Sequence, residues 1–104
     1  MTNNLSDFDE YQKITKKTAI YPTIGKKFIF PLIGLLGEVG EISEKIKKLF
    51  RDRKANLTND QRIEIGKEIG DALWYLTQLS SDLNLKFSDI VKMNLEKISK
   101  RAIE

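Results

Sequence analysis

The sequence predicts an all-α protein, and three features lead to this prediction. Apolar residues recur at intervals of three and four over long stretches, as they do on one face of an α-helix. No stretch alternates apolar and polar residues with the period of two that is typical of a half-buried strand. Capping residues or a proline stand where the periodic stretches begin or end. With 104 residues, the chain is expected to form one domain, residues 1–104, folded as a four-helix bundle.

The first helix is predicted from about Asp7 to Ile20. Ser6 has the character of an N-cap, with the acid Asp9 three residues further on. The helix should end before Pro22, because the residue preceding a proline avoids the helical region of backbone space. A loop containing Gly25 follows.

The second helix is predicted to begin near Pro31, whose missing N–H costs nothing in a first turn. It should end near Arg53, after a run of basic residues that complements the helix dipole and aids solubility. The basic run comprises Lys45, Lys47, Lys48, Arg51 and Arg53. The apolar face comprises Leu32, Leu35, Leu36, Val39, Ile42, Ile46, Leu49 and Phe50.

The third helix should begin at a capping box formed by Thr58 and Gln61 and end at Asn84. Its apolar face comprises Ile65, Ile69, Leu73, Leu76, Leu79 and Leu83. Ser88 and Asp89 are expected to cap a fourth helix, with Val91, Leu95, Ile98 and Ala102 on its apolar face. Asn94, Lys97 and Arg101 lie on an adjacent stripe of that helix.

Composition excludes several classes of chemistry. The chain has no cysteine and no histidine, so disulfides, zinc–thiolate sites and Ser-His-Asp or Cys-His catalysis are absent. The net charge of +3 gives little support for nucleic-acid binding. The N-terminus lacks the pattern of a signal peptide, and the longest apolar run, residues 28–36, is too short to span a bilayer. A cytoplasmic protein without nucleic-acid or membrane partners is therefore expected.

One four-residue pattern occurs twice, as Glu38-Val39-Gly40-Glu41 and as Glu68-Ile69-Gly70-Asp71. The two acids of each copy lie one helical turn apart. Val39 and Ile69 are expected to face the core, which would give both acid pairs the same angle to it. If the second and third helices form the central antiparallel pair, four carboxylates converge. Unpaired, they would repel and raise one another's pKa, whereas a hard cation such as Mg²⁺, or Mn²⁺ in its place, relieves the repulsion. The alternative is a solvated acidic face.

Glycines and further acids surround this pattern. Five glycines fall inside the two helices, each at a cost of about 1 kcal/mol relative to alanine. They are Gly34, Gly37, Gly40, Gly66 and Gly70. Close approach of two helices is one explanation for these glycines, and room for a ligand beside the backbone is another. The two explanations are compatible. Glu44 is either an outer ligand or a surface acid, and Glu64 is interpreted as a surface acid.

The ordered pair of acidic motifs resembles that of the all-α, MazG-like nucleotide pyrophosphohydrolases. The segments 31–41 and 71–76, together with Asn94-Leu95-Glu96-Lys97, Arg101 and Tyr11-Gln12, are similar to family segments as well. One departure is Gly37, where many members carry a further glutamate. This departure leaves open the number of metal ions and the identity of the general base.

The resemblance implies Mg²⁺-dependent hydrolysis of a nucleoside or deoxynucleoside triphosphate to the monophosphate and pyrophosphate, by a homodimer or tetramer. It implies metal-binding and catalytic roles for Glu38, Glu41, Glu68 and Asp71. Phosphate contacts would come from Asn94, Lys97 and Arg101, for which a solvated basic face is the alternative. Trp74, Tyr11 and Gln12 are candidates for binding the base, and packing is the alternative for Trp74.

Two other functions remain open at this point. The chain would in one case be a nucleotide-binding regulatory oligomer with little or no catalysis, and in the other a purely structural helical oligomer with surface acids. The base and sugar preference of a substrate does not follow from the sequence.

Overall fold

The computed structural model describes residues 5–52 and 56–103, which form four α-helices and no strand. The helices are α1 (Ser6–Lys16), α2 (Ile29–Arg51), α3 (Asn59–Asp82) and α4 (Phe87–Ile103). The all-α prediction and the order of the helices are therefore confirmed. The predicted end of the second helix near Arg53 falls outside the described residues, and so does the side chain of Ala102.

Helix α1 is shorter than predicted. It ends at Lys16 rather than Ile20, because the backbone tightens into bonds between residues three apart. The N–H of Lys17 donates to the carbonyl oxygen of Ile14, and that of Thr18 donates to Thr15 at 2.9 Å. The Thr18 hydroxyl donates to the same Thr15 oxygen at 2.7 Å, which stabilises the turn. Leu5, not Ser6, occupies the N-cap position.

Helices α2 and α3 form an antiparallel pair. Gly34, early in α2, lies opposite Tyr75, late in α3, whereas Lys45, late in α2, meets Glu68 earlier in α3. A Cβ atom on Gly34 would overlap the Tyr75 ring, so this glycine is required for close approach of the two helices. Beside the other four helical glycines, no described atom apart from the chain neighbours and the helix's own backbone lies within 4 Å of the position that a Cβ would take. Close packing within the chain therefore explains Gly34 alone.

The ends of α3 follow the sequence prediction. The backbone N–H of Gln61 donates to the Thr58 hydroxyl at 3.1 Å, and the N–H of Thr58 donates to the Gln61 side chain at 2.8 Å. This is the predicted capping box. Asn84, at φ 58°, adopts the left-handed conformation that ends the helix.

The N-terminus of α4 is capped by α1 rather than by its own residues. Asp9 accepts two hydrogen bonds from Ser88, one from the backbone N–H at 3.1 Å and one from the hydroxyl at 2.8 Å. Gln12 accepts the N–H of Phe87 at 2.8 Å. The prediction that Ser88 and Asp89 cap this helix is wrong, because both lie within α4 and the capping groups come from a helix distant in sequence.

The apolar faces of α2 and α3 are only partly covered. The side chains of Val39 and Ile69 are 49% and 56% exposed, so the expectation that they face the core is wrong for the single chain. Apart from Pro31, Phe87 is the only buried apolar residue in the described part of the chain. Helix α2 packs on α3 and on no other described helix. The radius of gyration, 16.5 Å, accordingly exceeds the roughly 13 Å of a compact chain of this length.

No helix among the described residues is both long enough and apolar enough to cross a membrane.

Candidate metal and nucleotide site

Three carboxylates meet where the two acidic motifs face each other across the α2–α3 pair. Glu38 and Glu41 from α2 and Glu68 from α3 place carboxylate oxygens within 4.8 Å of one another. The Oε2 atoms of Glu38 and Glu68 are buried, and no N–H or hydroxyl group of the described residues donates a hydrogen bond to them. Asp71, the fourth predicted acid, lies outside this group of three but close enough for its charge to act on Glu38. The antiparallel packing thus brings together acids that are far apart in sequence.

The proximity of the acids shifts their proton affinities in opposite directions. Burial, and then the hydrogen bond with Glu68, raise the pKa of the Glu38 carboxyl to about 7. The negative charges of Glu41 and Asp71 act in the same direction. The pKa of Glu68 is lowered, first by hydrogen bonding with Glu41, which outweighs the effect of burial. Glu38 is therefore the acid whose charge is least compensated by the protein.

The donor set of this cluster fits a hard divalent cation. All its ligand atoms are carboxylate oxygens, which Mg²⁺ and Mn²⁺ prefer. Buried polar atoms without partners are rare in folded proteins, because each costs about 1–3 kcal/mol. A cation between Glu38 and Glu68 would provide a partner for both Oε2 atoms.

Lys45 is the one positive charge that the described structure places against this cluster. Its Nζ lies 3.5 Å from Oε1 of Glu68 and forms an ion pair between α2 and α3. In the sequence this lysine is one of the basic residues interpreted as compensating the helix dipole. Its spacing of four residues from Glu41 and seven from Glu38 puts it on the same helix face as both, which is the signal that would have identified it.

A cavity of about 300 Å³ lies beside the cluster and is lined by Glu38, Asp71, Trp74 and Tyr75. The rings of Trp74 and Tyr75 meet edge to face, with centroids 5.1 Å apart. The indole N–H of Trp74 donates to the Thr18 hydroxyl at 3.0 Å. Trp74 therefore packs within the chain and lines the cavity at the same time. The aromatic wall offers a packing surface for a planar ring, whereas the neighbouring acids would attract a phosphate chain only through a bound cation.

Of the other predicted base-binding residues, Tyr11 lies near the acids and Gln12 is held elsewhere. Burial, and then the charge of Asp71, raise the pKa of Tyr11. The Gln12 amide nitrogen donates to the Ser81 hydroxyl at 3.0 Å and to the Leu85 carbonyl at 2.9 Å. Because its oxygen also accepts from α4, Gln12 is fully engaged in joining α1 to α3 and α4.

The predicted phosphate-binding residues lie on α4. Asn94, Lys97 and Arg101 are exposed, and α4 packs on α1 and α3 but not on α2. No hydrogen bond or ion pair within the described ranges joins these three side chains to the acidic cluster.

The two further acids considered from the sequence lie at the surface. Glu44 pairs with Lys47 at 3.3 Å, and Glu64 pairs with Lys67 at 3.1 Å. In each pair the two residues are three positions apart on an exposed face of their own helix, which is α2 for Glu44 and α3 for Glu64. The interpretation of Glu64 as a surface acid agrees with this, and Glu44 belongs to the same class.

Comparison with known proteins identifies the family. A family model described as the MazG nucleotide pyrophosphohydrolase domain matches residues 32–103, which include both acidic motifs and all of α3 and α4. The chain is also 37% identical, over 89% of its length and 86% of the relative's, to the Gene 37 protein of Mycobacterium phage L5. No solved structure matches the chain. Because the family model covers more than half of the residues and its span contains the facing acids described above, this chain belongs to the MazG nucleotide pyrophosphohydrolase domain family.

Proposed function

We propose that this protein hydrolyses nucleoside or deoxynucleoside triphosphates to the monophosphate and pyrophosphate and requires Mg²⁺, with Mn²⁺ as a substitute. The observation that carries the proposal is the group formed by Glu38, Glu41 and Glu68, with its two buried oxygens lacking partners. The adjoining aromatic cavity and the family membership support it.

In this proposal each acid has a distinct task. Glu38, Glu41 and Glu68 hold the cation, since one oxygen of each lies within 4.8 Å of the others, and small side-chain rotations would bring all three onto one Mg²⁺. When bound, Mg²⁺ would neutralise phosphate oxygens and acidify a water molecule. Asp71 lines the cavity at the edge of the group. Because Asp71 lies outside the group of three that would hold the cation, we assign to it the role of accepting a proton from the attacking water.

The cavity beside Asp71 would receive the nucleoside part of the substrate. The rings of Trp74 and Tyr75 form its wall, and an aromatic ring stacks on a nucleobase for about 1–3 kcal/mol with little dependence on base identity. Tyr11 stays a candidate for contacting the same ligand because it lies near Asp71. Phosphate contacts by Asn94, Lys97 and Arg101 stay a prediction.

We also propose that the active form is a homodimer or tetramer. Helix α2 exposes a stripe of apolar residues at successive spacings of four, three, seven and four, and α3 exposes one at spacings of seven. These stripes comprise Leu32, Leu36, Val39, Ile46 and Phe50 on α2, and Ile69, Leu76 and Leu83 on α3. Such spacing is typical of helices that pack along their length. A second α2–α3 pair laid on the first would close a four-helix bundle.

The test of the activity is release of pyrophosphate from a panel of ribonucleoside and deoxynucleoside triphosphates, with and without Mg²⁺. The variants Glu38→Gln and Asp71→Asn are expected to lower turnover by about a hundredfold or more, because one removes a ligand and the other a base. Glu44→Gln is the matched control, since Glu44 is an exposed acid of the same helix paired only with Lys47.

Wild-type turnover in either site variant would show that the residue roles are wrong. Binding of nucleotide without pyrophosphate release at saturating Mg²⁺ and Mn²⁺ would instead support the alternative function, a nucleotide-binding regulatory oligomer. An unchanged melting temperature with Mg²⁺ and nucleotide together would argue against both, because a saturating ligand stabilises its folded binder.

A further inference from the structure

A second cavity, of about 230 Å³, lies where the end of α1 and the connector between α1 and α2 pack on the C-terminal half of α3. Its polar lining comes from Lys16, Thr23, Lys27, Gln78, Ser81 and Asp82. It shares no lining residue with the cavity beside the acidic cluster. The proposed hydrolysis of nucleotides uses none of these six side chains.

Gln78 is the most unusual residue of this cavity. It is 1% exposed, and its amide nitrogen has no hydrogen-bond partner among the described residues. A buried amide without a partner is destabilising and rare in a native protein, because its lost hydration is not offset by a hydrogen bond. The amide carries two N–H donors, and Gln78 lines the cavity.

The other groups around the cavity are mostly donors as well. Neither Lys16 nor Lys27 forms an ion pair with any carboxylate of the described residues. The Ser81 hydroxyl accepts a hydrogen bond from Gln12, which leaves its own proton free to donate. The wall contains one acid, Asp82, and one of its oxygens is already occupied by the Tyr21 hydroxyl at 2.8 Å.

We propose that this cavity is a second binding site, and that its ligand is a phosphate group. The donors of this cavity outnumber its single acid, because they comprise two unpaired ammonium groups, a hydroxyl and a buried amide. A tetrahedral oxyanion can accept hydrogen bonds from several such donors at once. The lysines come from α1 and from the connector, whereas Gln78 and Ser81 come from α3. The ligand would therefore join three segments of the chain.

This site is structurally connected to the aromatic wall of the proposed active site. Tyr21, which lines the phosphate cavity, meets the ring of Trp74 edge to face, with centroids 6.3 Å apart. Trp74 in turn lines the cavity that contains Glu38 and Asp71. Binding in the phosphate cavity is therefore expected to change the environment of the Trp74 indole ring. Trp74 is the only tryptophan of the chain.

The test is a titration of the metal-free protein with inorganic phosphate in the presence of EDTA. Amide N–H correlation NMR spectra are recorded at each phosphate concentration. Potassium chloride at matched ionic strength measures the general salt effect. Without a cation the acidic cluster repels phosphate, so binding there does not contribute. Saturable shifts of the Gln78 side-chain amide and of the backbone amides of Thr23 and Ser81, absent with chloride, are the expected result.

Variants separate this site from its neighbours. Lys27→Met is expected to weaken phosphate binding by about tenfold, as loss of a charge-assisted hydrogen bond does. Lys26→Met is the matched control, because Lys26 is the adjacent exposed lysine and does not line the cavity. Shifts that match those with chloride, that grow without saturation, or that are equally affected by both variants would overturn the proposal.

Two further ligands distinguish the sources of the phosphate group. A nucleoside monophosphate that binds more tightly than inorganic phosphate, while the nucleoside alone does not bind, would identify a nucleotide ligand. Equal affinity for the monophosphate and inorganic phosphate would identify free phosphate. Both outcomes are independent of pyrophosphate release by the wild-type protein, so an inactive enzyme would leave this site intact.

Discussion

At the scale of single residues, Glu38 governs how the metal-free protein responds to pH. Its pKa of about 7 lies well above the ordinary 4.5, so between these values the folded chain holds a proton that the unfolded chain has released. Stability therefore falls as pH rises from about 4.5 to about 7. The lowered pKa of Glu68 acts below pH 4.5 and leaves this window unaffected. We expect the melting temperature in EDTA to decrease across this range.

The variant Glu38→Gln should remove most of this pH dependence, because a glutamine does not titrate. Glu44→Gln should retain it. Saturating Mg²⁺ should also flatten the profile, since a bound cation favours the ionised carboxylate and releases the proton. Calorimetric titration at pH 6 in buffers of different ionisation enthalpy measures that release directly. A melting temperature that rises between pH 5 and 7 without metal would contradict the assignment of the raised pKa to Glu38.

At the scale of helices, the Lys45–Glu68 ion pair is the electrostatic contact between α2 and α3 at the cluster. In the absence of metal, the ammonium group supplies part of the positive charge that the acids lack. Once a cation is bound, the same ammonium repels it. We therefore expect Lys45→Met to lower the melting temperature of the metal-free protein and to tighten Mg²⁺ binding by roughly tenfold, about 1.4 kcal/mol.

Calorimetric titration with Mg²⁺ measures the affinity without reference to catalysis. Lys48→Met is the matched control, because Lys48 lies one turn further along α2 and forms no ion pair in the described structure. Equal or weaker Mg²⁺ binding by Lys45→Met would show that the lysine supports the metal site instead of competing with the metal.

At the scale of the whole molecule, the uncovered apolar stripes of α2 and α3 predict self-association. Leu36 is 65% exposed within the α2 stripe, so a charge there would be buried in the assembly. We expect the wild-type protein, of 12.0 kDa per chain, to elute as a dimer or larger species in light-scattering chromatography. Leu36→Glu should shift it towards monomer and lower its stability. Each Å² of apolar surface that is no longer buried in the assembly costs about 25 cal/mol.

Ile20→Glu is the control for that experiment, because Ile20 is 92% exposed in the connector and lies outside both stripes. Its mass should match that of the wild type. A wild-type protein that stays monomeric at high concentration would contradict the proposed assembly. The exposed apolar stripes of α2 and α3 would then have no partner surface.

The sequence by itself determined the elements with local causes. Each helix appears because apolar residues recur at helical spacing, and α3 begins where Thr58 and Gln61 satisfy each other's backbone groups. The two acidic motifs also follow from local spacing, because residues three apart on a helix always share a flank. This is why all four helices, and the presence of an acidic motif on each of α2 and α3, were identifiable in advance.

Only the tertiary structure decided which face each helix presents to its neighbours. Periodicity shows that Val39 and Ile69 share a face, but it does not show that this face lies open in the single chain while the acids meet across the helix pair. It equally does not show that Asp9 caps α4 or that Lys45 reaches Glu68. Such contacts join residues that are distant in sequence, and they depend on the angle and register at which helices pack, which no local pattern specifies.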